Sequence, residues 1–377
     1  MAFYSKFVAG AALAVMASYA SAASAQGSGS MQVGNTTVSV GAGTAILTLP
    51  DVQFLTAASL STSGTIRKYD DGDDFGDEIG FNVNGSVSAP VTGANGRRKR
   101  ISINGFFSST DDEDSAVCTE SGFTCTLYNI VDDSAIASSL DAGTGNAGAQ
   151  FISSTDRDVD HWGVSLESQW YLNPQVMGVT QAPPRRYIAL GAGMRRIDQD
   201  LSIVTTSPQA AGAFRFTYSE DLETDYYGAY AAWGGDYSPF LFKGLWDRWG
   251  LRSSFRLQGG AYYADTDYSG STVSTTAPNN LNGSLSLSQD EIAFIGGLTL
   301  ETRKRIGART MLSLKSEYEY YSWVPDMRYN DSDYNAGGPR LGQNRGTSIG
   351  SDDAFSARTS LRLTIKLGPA EIMEPMK

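Results

Sequence analysis

The sequence predicts an all-β fold, an antiparallel transmembrane β-barrel of about ten strands, with eight or twelve strands as the other possible counts. Apolar and polar residues alternate along successive runs of about ten residues, the length of a membrane-spanning strand. The connections between these runs are alternately short and long, like periplasmic turns and extracellular loops. Trp and Tyr lie near the ends of several runs, as at Trp170 and Tyr320, where an interfacial girdle is expected. A secreted β-sandwich would also show alternating strands, but it does not predict the alternation of loop lengths.

The last run, from Phe355 to Leu367, carries the clearest alternation. Its polar positions hold three cations, and its other positions hold only apolar residues and one threonine. This segregation is typical of a strand with one face in lipid and one face in a lumen. The polar positions are Ser356, Arg358, Ser360, Arg362, Thr364 and Lys366.

Composition excludes several classes of protein. The chain has 377 residues and a formal charge of −12, so it lacks the basic footprint of a nucleic-acid-binding protein. Its mean hydropathy is −0.24, and beyond the N-terminus no apolar run reaches the roughly 18 residues of a transmembrane helix. A helical membrane protein is therefore not predicted.

The N-terminal segment 1–25 reads as a secretory signal peptide. Lys6 provides the positive region, Phe7 to Tyr19 the apolar region, and Ala23-Ser24-Ala25 the cleavage site. A single anchoring helix is the alternative, but the apolar region is short for that role. The mature chain would begin at Gln26, with a flexible segment 26–35, a barrel over 36–367 and a periplasmic tail over 368–377.

Ten candidate strands follow in order within the barrel region. The first is included because an even count places both chain ends in the periplasm. The candidate strands are 36–49, 79–88, 100–107, 162–172, 187–195, 226–237, 251–263, 291–303, 312–320 and 355–367. The shorter connections are 89–99, 173–185, 238–249 and 304–308, and the longer ones are 50–77, 108–157, 201–222, 267–288 and 324–353.

With this architecture the chain resembles the porin-like outer-membrane β-barrel proteins of Gram-negative bacteria. The resemblance covers residues 36–367 and rests on strand pattern and loop lengths, without a diagnostic motif. It implies an outer-membrane location, contact with outer-membrane lipid and lipopolysaccharide, and insertion by the outer-membrane assembly machinery. One feature departs from the pattern: the closing strand ends at Leu367, whereas such barrels commonly end on an aromatic residue.

The two cysteines, Cys118 and Cys125, lie in a polar segment of an exported chain. An even number of cysteines in an oxidising compartment predicts one disulfide that closes a small loop. A metal site would need further ligands, and no histidine lies near them, so no metal is predicted.

The single histidine, His161, ends the run Asp158-Val159-Asp160-His161. A ten-stranded barrel with acidic residues and a histidine is similar to the omptin proteases, in which an Asp and a His separated by one residue point the same way. Here Asp158 and Asp160 fall on the opposite face of a strand from His161. No catalytic residue, cofactor or enzymatic activity is therefore predicted.

Acidic runs occur at 70–74 and 111–114. They lack the ligand spacing of a calcium loop, and solvated loop charge is the prediction, with divalent cations bridging to lipopolysaccharide as the alternative.

The polar faces of the strands carry many charges that one lumen would bring together. The charged side chains listed next would face the acids Glu167, Glu291 and Glu301 across the lumen. Together these groups form either a network of ion pairs that fills the interior or the wall of a selective pore. The pore-lining candidates are Arg252, Arg256, Lys315, Glu317, Glu319, Arg358, Arg362 and Lys366. The function predicted first is a small porin-like channel for small polar solutes or ions. The alternative is a closed barrel that presents extracellular loops for adhesion or envelope integrity.

Overall fold

A computed structural model describes residues 36–50, 58–61, 66–68, 79–92, 98–118, 123–128, 135–138, 151–172, 186–207, 214–237, 243–274, 283–328 and 348–367. Ten of its strands form one closed antiparallel barrel, which confirms the predicted fold class. The barrel strands are β1 Thr37–Thr48, β4 Gly80–Thr92, β5 Arg98–Cys118, β8 Phe151–Tyr171, β9 Arg186–Ser207, β10 Phe214–Tyr237, β11 Leu251–Ser274, β12 Gly283–Arg305, β13 Thr310–Arg328 and β14 Ser348–Lys366.

The barrel closes where its first strand meets its last. β1 pairs with β4 on one side and with β14 on the other, in a register that runs from Thr37–Lys366 to Thr48–Phe355. Around the ring the order is β1-β14-β13-β12-β11-β10-β9-β8-β5-β4. Both ends of the barrel chain therefore lie at the same end as the short connections, which is the periplasmic end in barrels of this kind. We call this the lower end and the opposite end the outer end.

The two faces of the barrel wall carry the predicted segregation. In β14, Leu361 and Leu363 are exposed on the outside, whereas Arg358 and Arg362 are buried on the inside. The same alternation continues around the ring and produces an outward band of exposed apolar side chains, as a lipid-facing surface requires. Members of this band from other strands are Val40, Phe81, Ile101, Leu166, Leu190, Trp233, Leu257, Phe294 and Leu314.

Most barrel strands are longer than predicted. β10 and β11 each have 24 residues, although about ten suffice to cross the membrane. Much of the segments 201–222 and 267–288, which were predicted as loops, therefore belongs to strands. Above the apolar band the alternation inverts, so that Phe216, Tyr218 and Leu222 point inward and are buried. Outside lipid a strand needs no apolar outer face, and this change of phase concealed the strands in the sequence.

The two longest predicted loops contribute a second, small sheet. It has the order β3-β2-β6-β7 and consists of β2 Ala58–Ser61, β3 Ile66–Lys68, β6 Phe123–Tyr128 and β7 Ala135–Ser138. These strands follow β1 and β5 at the outer end, so the small sheet belongs to that end of the protein. Cys118 and Cys125 belong to β5 and β6, but their side chains lie outside the described part, and the disulfide remains a prediction.

Other predictions also fall on residues outside the described ranges. These are the signal peptide 1–25, the segment 26–35, the tail 368–377 and the acidic run 70–74.

A short helix occupies part of the connection between β10 and β11. This helix, α1, spans Lys243–Trp249, and Gly250 ends it in a left-handed conformation with φ of 64°. Trp246 Nε1 donates a hydrogen bond to Ser253 Oγ at 2.7 Å, which ties the helix to the start of β11. No helix in the described ranges is long and apolar enough to cross a membrane.

The closing seam gives a first testable prediction. A Cβ atom on Gly43 would meet the backbone carbonyl oxygen of Thr359 and lie 2.7 Å from Cα of Ser360, so β1 and β14 approach too closely there for a side chain. We expect Gly43→Val to reduce the folded fraction after refolding, measured by the heat-dependent shift of the folded band on gels. The control is Ala42→Val, which adds similar bulk on the exposed outer face. Equal folding of the two variants would contradict the assigned seam.

Candidate functional site

A buried triad of charges lies inside the barrel at membrane level. Glu319 of β13 accepts hydrogen bonds from Arg195 Nη2 of β9 at 2.7 Å and from Arg358 Nη2 of β14 at 2.5 Å. The three side chains are only 5%, 6% and 2% exposed, respectively. A buried charge needs a partner, and here one carboxylate serves two guanidinium groups.

A second ion pair lies below the triad and is joined to it. Arg256 of β11 binds Glu167 of β8 through both ends of its guanidinium group, with Nη1 donating to Oε1 at 2.7 Å. Tyr230 and Gln169 also donate to this carboxylate, at 3.1 and 2.7 Å. Gln258 links the two clusters because it accepts from Arg256 Nε at 3.2 Å and donates to Glu319 at 3.3 Å.

Below the triad the interior contains a cavity of about 190 Å³. Its wall includes most of the predicted pore-lining side chains, namely Arg256, Lys315, Glu317, Glu319, Arg358 and Arg362, together with Glu301. Lys315 Nζ pairs with Glu317 at 2.6 Å. Arg252 and Glu291 are exposed, and neither they nor Lys366 belong to the cavity wall. The structure thus brings six of the eight predicted candidates together.

Several residues of the interior site are not among the candidates predicted from the sequence. Arg195 and Phe106 both line the cavity, and the guanidinium carbon of Arg358 lies 3.4 Å from the centre of the Phe106 ring. The signal that would have found both residues is strand parity. Arg195 falls on the same parity as Gly191 and Gly193, and Phe106 on the same parity as Ser102 and Asn104.

Above the triad a continuous apolar layer crosses the barrel. The layer contains buried side chains contributed by eight of the ten barrel strands, so it extends across the interior. Its members are Leu47, Leu49, Val159, Ile197, Tyr226, Tyr262, Ala264, Ala293, Ile295, Tyr321, Trp323, Val324 and Ala354, and the same buried cluster continues down to Tyr230 beside Glu167. Tyr226 also donates a hydrogen bond to the backbone oxygen of Trp323 at 3.2 Å. Together these contacts form a packed layer across the interior directly above the triad.

The single histidine joins opposite walls of the barrel. His161 Nε2 of β8 and Tyr321 Oη of β13 are 2.8 Å apart, and β8 and β13 are five strands apart in either direction around the ring. His161 is 1% exposed and packs edge-on against Phe106 at 4.8 Å. Asp158 and Asp160 lie on the outward face of β8, so the structure does not bring them to the imidazole.

Carboxylates replace the apolar side chains on the outward face just above the lipid-facing band. The band ends at the exposed side chains of Tyr227, Tyr263 and Ile292. Two positions further along each strand toward the outer end lie Asp225, Asp265 and Asp290. Two cross-strand rows lie further out, the first with Asp160, Asp198, Glu223 and Asp267, the second with Asp111, Asp158, Asp200 and Asp221. Asp111 and Glu113 belong to β5, so their prediction as loop residues is wrong.

These rows carry strong mutual repulsion. Partial burial, followed by the charges of Asp221 and Asp200, raises the pKa of Asp198 to about 7. Burial and Asp221 also raise the pKa of Asp200. Arg196 offsets part of the charge, since it pairs with Glu223 at 2.9 Å and with Asp225 at 2.6 Å. Within the described ranges, no group of three or more His, Cys, Asp or Glu side chains is arranged to hold a metal ion.

Comparison with known proteins finds similarity among solved structures alone. No family model matches the sequence, and no curated protein matches it. Among solved structures, the outer membrane protease OmpT from Escherichia coli is similar at 8% identity over 91% of this chain and 99% of that one, with a TM-score of 0.43. A FadL homologue from Pseudomonas aeruginosa is similar at 8% identity over 88% and 90% of the two chains, with a TM-score of 0.22. The closed ring of ten antiparallel strands with its outward apolar band is itself the architecture of outer-membrane β-barrel proteins.

These comparisons correct one prediction. The sequence analysis predicted that the protein is not an enzyme, and the similarity to a barrel that is a protease contradicts that exclusion. The similarity at 8% identity concerns the fold and assigns no activity to this chain. The porin-like character of the predicted resemblance likewise finds no specific support, since the similar structures include a protease and the transport unit of an autotransporter.

The carboxylate rows give a prediction about pH. Asp198 binds a proton up to about pH 7 when folded but only up to about pH 3.9 when unfolded. The folded state therefore binds more protons between these values, and the stability of the outer part of β9 and β10 falls as pH rises through this window.

We expect Asp198→Asn to weaken this pH dependence. The measurement is hydrogen exchange of the β9–β10 hairpin at pH 5 and pH 8, corrected for intrinsic rates. Asp353→Asn, a change at an exposed position of β14, is the control and should behave like the wild type. An unchanged pH dependence in Asp198→Asn would reject the assignment.

Proposed function

We propose that the protein is a closed outer-membrane barrel that supports an extracellular portion acting in adhesion or envelope integrity. The observation that carries this proposal is the hydrogen bond between His161 and Tyr321, because it joins strands on diametrically opposite sides of the ring. A bore that one pair of side chains spans leaves no open path for solutes at that level.

The surrounding contacts support closure. The apolar layer lies directly above the Arg195–Glu319–Arg358 triad, so a solute would have to displace aromatic side chains and separate buried ion pairs in succession. Open aqueous channels are typical of barrels with 16 to 18 strands, whereas small barrels fill their interior with side chains. Ten strands with long interior side chains fit the second case. The geometry therefore favours the alternative function from the sequence over the porin-like channel.

The outer portion is large enough to serve as the functional part. β9 to β12 have between 22 and 24 residues each, about twice what a membrane crossing requires. Their outer halves extend the barrel beyond the membrane and bury aromatic and apolar side chains together with polar ones such as Glu220 and Thr266, and the small sheet adds to the same end. Contact with outer-membrane lipid and lipopolysaccharide, and insertion by the assembly machinery, are part of the same proposal.

Ion conductance tests the proposal directly. We expect the refolded protein to insert into a planar lipid bilayer without producing discrete conductance steps, while a general porin in the same bilayer produces them. Insertion is verified by protease protection of the protein in vesicles of the same lipid. Reproducible steps whose ion selectivity changes in Arg358→Gln would overturn the closed barrel and establish a channel.

Stability provides an independent prediction. In a closed interior, Glu319→Gln leaves Arg195 and Arg358 without a carboxylate, and breaking a buried pair in this way costs about 3–5 kcal/mol. We expect that loss in the free energy of unfolding, measured by urea titration of tryptophan fluorescence in lipid vesicles. Asp236→Asn is the control, because its pair with Arg303 is one-third exposed and contributes about 0–1 kcal/mol. Similar small losses in both variants would indicate a hydrated pore.

A further inference from the structure

We propose that the interior cavity below the triad binds a small oxyanion such as phosphate, with Arg362 as its principal ligand. This inference goes beyond the closed-barrel function, which neither requires nor excludes a ligand in the lower half of the interior. It rests on the charge balance of the cavity wall, on the bonding of Arg362, and on the space beside that side chain.

The cavity wall has an excess of positive charge. Five cationic side chains line it, namely Arg195, Arg256, Lys315, Arg358 and Arg362, against the three carboxylates Glu301, Glu317 and Glu319. Adding Glu167, the partner of Arg256, still leaves one positive charge in excess. Because these charged side chains are largely buried, an uncompensated charge is costly there.

The excess arises at the triad, where two arginines share one carboxylate, and Arg362 is the cation of the wall that forms no salt bridge among the described residues. Arg256 pairs with Glu167, Arg195 and Arg358 share Glu319, and Lys315 pairs with Glu317. Arg362 is 7% exposed, and its hydrogen bond goes from Nη2 to the hydroxyl of Ser86 at 2.7 Å.

The Nε atom of Arg362 has no hydrogen-bond partner among the described residues. Although Glu301 lies on the same cavity wall, no salt bridge joins it to Arg362 within the described ranges.

The surroundings of Arg362 offer room and further polar groups. Its side chain packs against Gly41, and a Cβ atom at Gly41 would clash with Arg362 Cγ and lie 2.9 Å from Asn84 Oδ1. Asn84 lines the cavity and its Oδ1 has no hydrogen-bond partner among the described residues. Exchange of the amide oxygen and nitrogen would turn this group into a donor. Buried Nε and Nη1 atoms of Arg358 are also without partners there.

The size and position of the cavity suit a small soluble anion. Its volume of about 190 Å³ corresponds to the liquid volume of about six water molecules. It extends to Gln169 and Tyr187, which lie close to the lower ends of β8 and β9. An anion would therefore enter from the periplasmic side. Water alone would satisfy the free donors, but it would not neutralise the charge, and a planar guanidinium group matches the oxygens of an oxyanion.

The test is phosphate binding to the full-length refolded protein in a non-ionic detergent that contains no phosphate. We expect calorimetric titration to show saturable binding of inorganic phosphate at constant ionic strength, with chloride as the non-binding reference. Arg362→Gln should weaken that binding about tenfold or more, because it removes a charge-assisted hydrogen-bond donor. Arg309→Gln is the matched control, since Arg309 is exposed in the turn before β13, and it should bind like the wild type.

The possible outcomes separate clearly. Absence of saturable binding to the wild type, or equal binding by the wild type and Arg362→Gln, would overturn the site. If Arg362→Gln does not refold, Arg362→Lys retains the charge and removes the planar donor pair, so weakened binding by that variant supports the assignment and unchanged binding opposes it. None of these results bears on conductance, so the closed-barrel proposal stands or falls separately.

Discussion

The requirement that every backbone hydrogen bond be satisfied within lipid determines this structure. An unpaired strand edge in hydrocarbon costs several kcal/mol for each polar group, so the first and last strands must meet. Here β1 and β14 pair along the whole of β1, and Gly41 and Gly43 let the two strands approach closely at the seam. Closure at ten strands then sets the bore of the barrel, and every interior contact follows from that width.

The interior responds to this width in two ways. At membrane level the outward face must be apolar, and the inward face carries long charged side chains such as Arg195 and Glu319, which reach one another across the lumen. Above the membrane the outward face meets water, and the inward face buries large apolar and aromatic side chains such as Phe216 and Tyr218 next to polar ones such as Thr224. The barrel therefore has an ionic core within the membrane and a hydrophobic core outside it, and His161 and Tyr321 lie where the two cores meet.

Strand parity allowed the sequence to predict the fold class, the strand number and several charged side chains of the cavity wall. Arg358 and Arg362 were placed correctly because the closing strand alternates without interruption. Prediction failed where the alternation inverts or where both parities are apolar. Ile295 interrupts the outward pattern of β12 because it belongs to the apolar layer, and the Tyr226–Tyr237 segment shows no facing in the sequence since aromatic residues occupy both faces. Pairings across the lumen, such as that of His161 with Tyr321, depend on where each strand lies around the barrel. Alternation along a single strand carries no information about that position.

The two cores also bear on why charges are retained inside a barrel that we propose to be closed. Charged side chains on the inward face leave the apolar residues on the outward face, where the membrane requires them. The cost is that each charge needs a partner of the right sign at the right height. Glu319 serves two arginines, and Arg362 forms no salt bridge among the described residues although Glu301 lies on the same wall. The positive charge left in excess is the physical reason to expect an anion in this cavity.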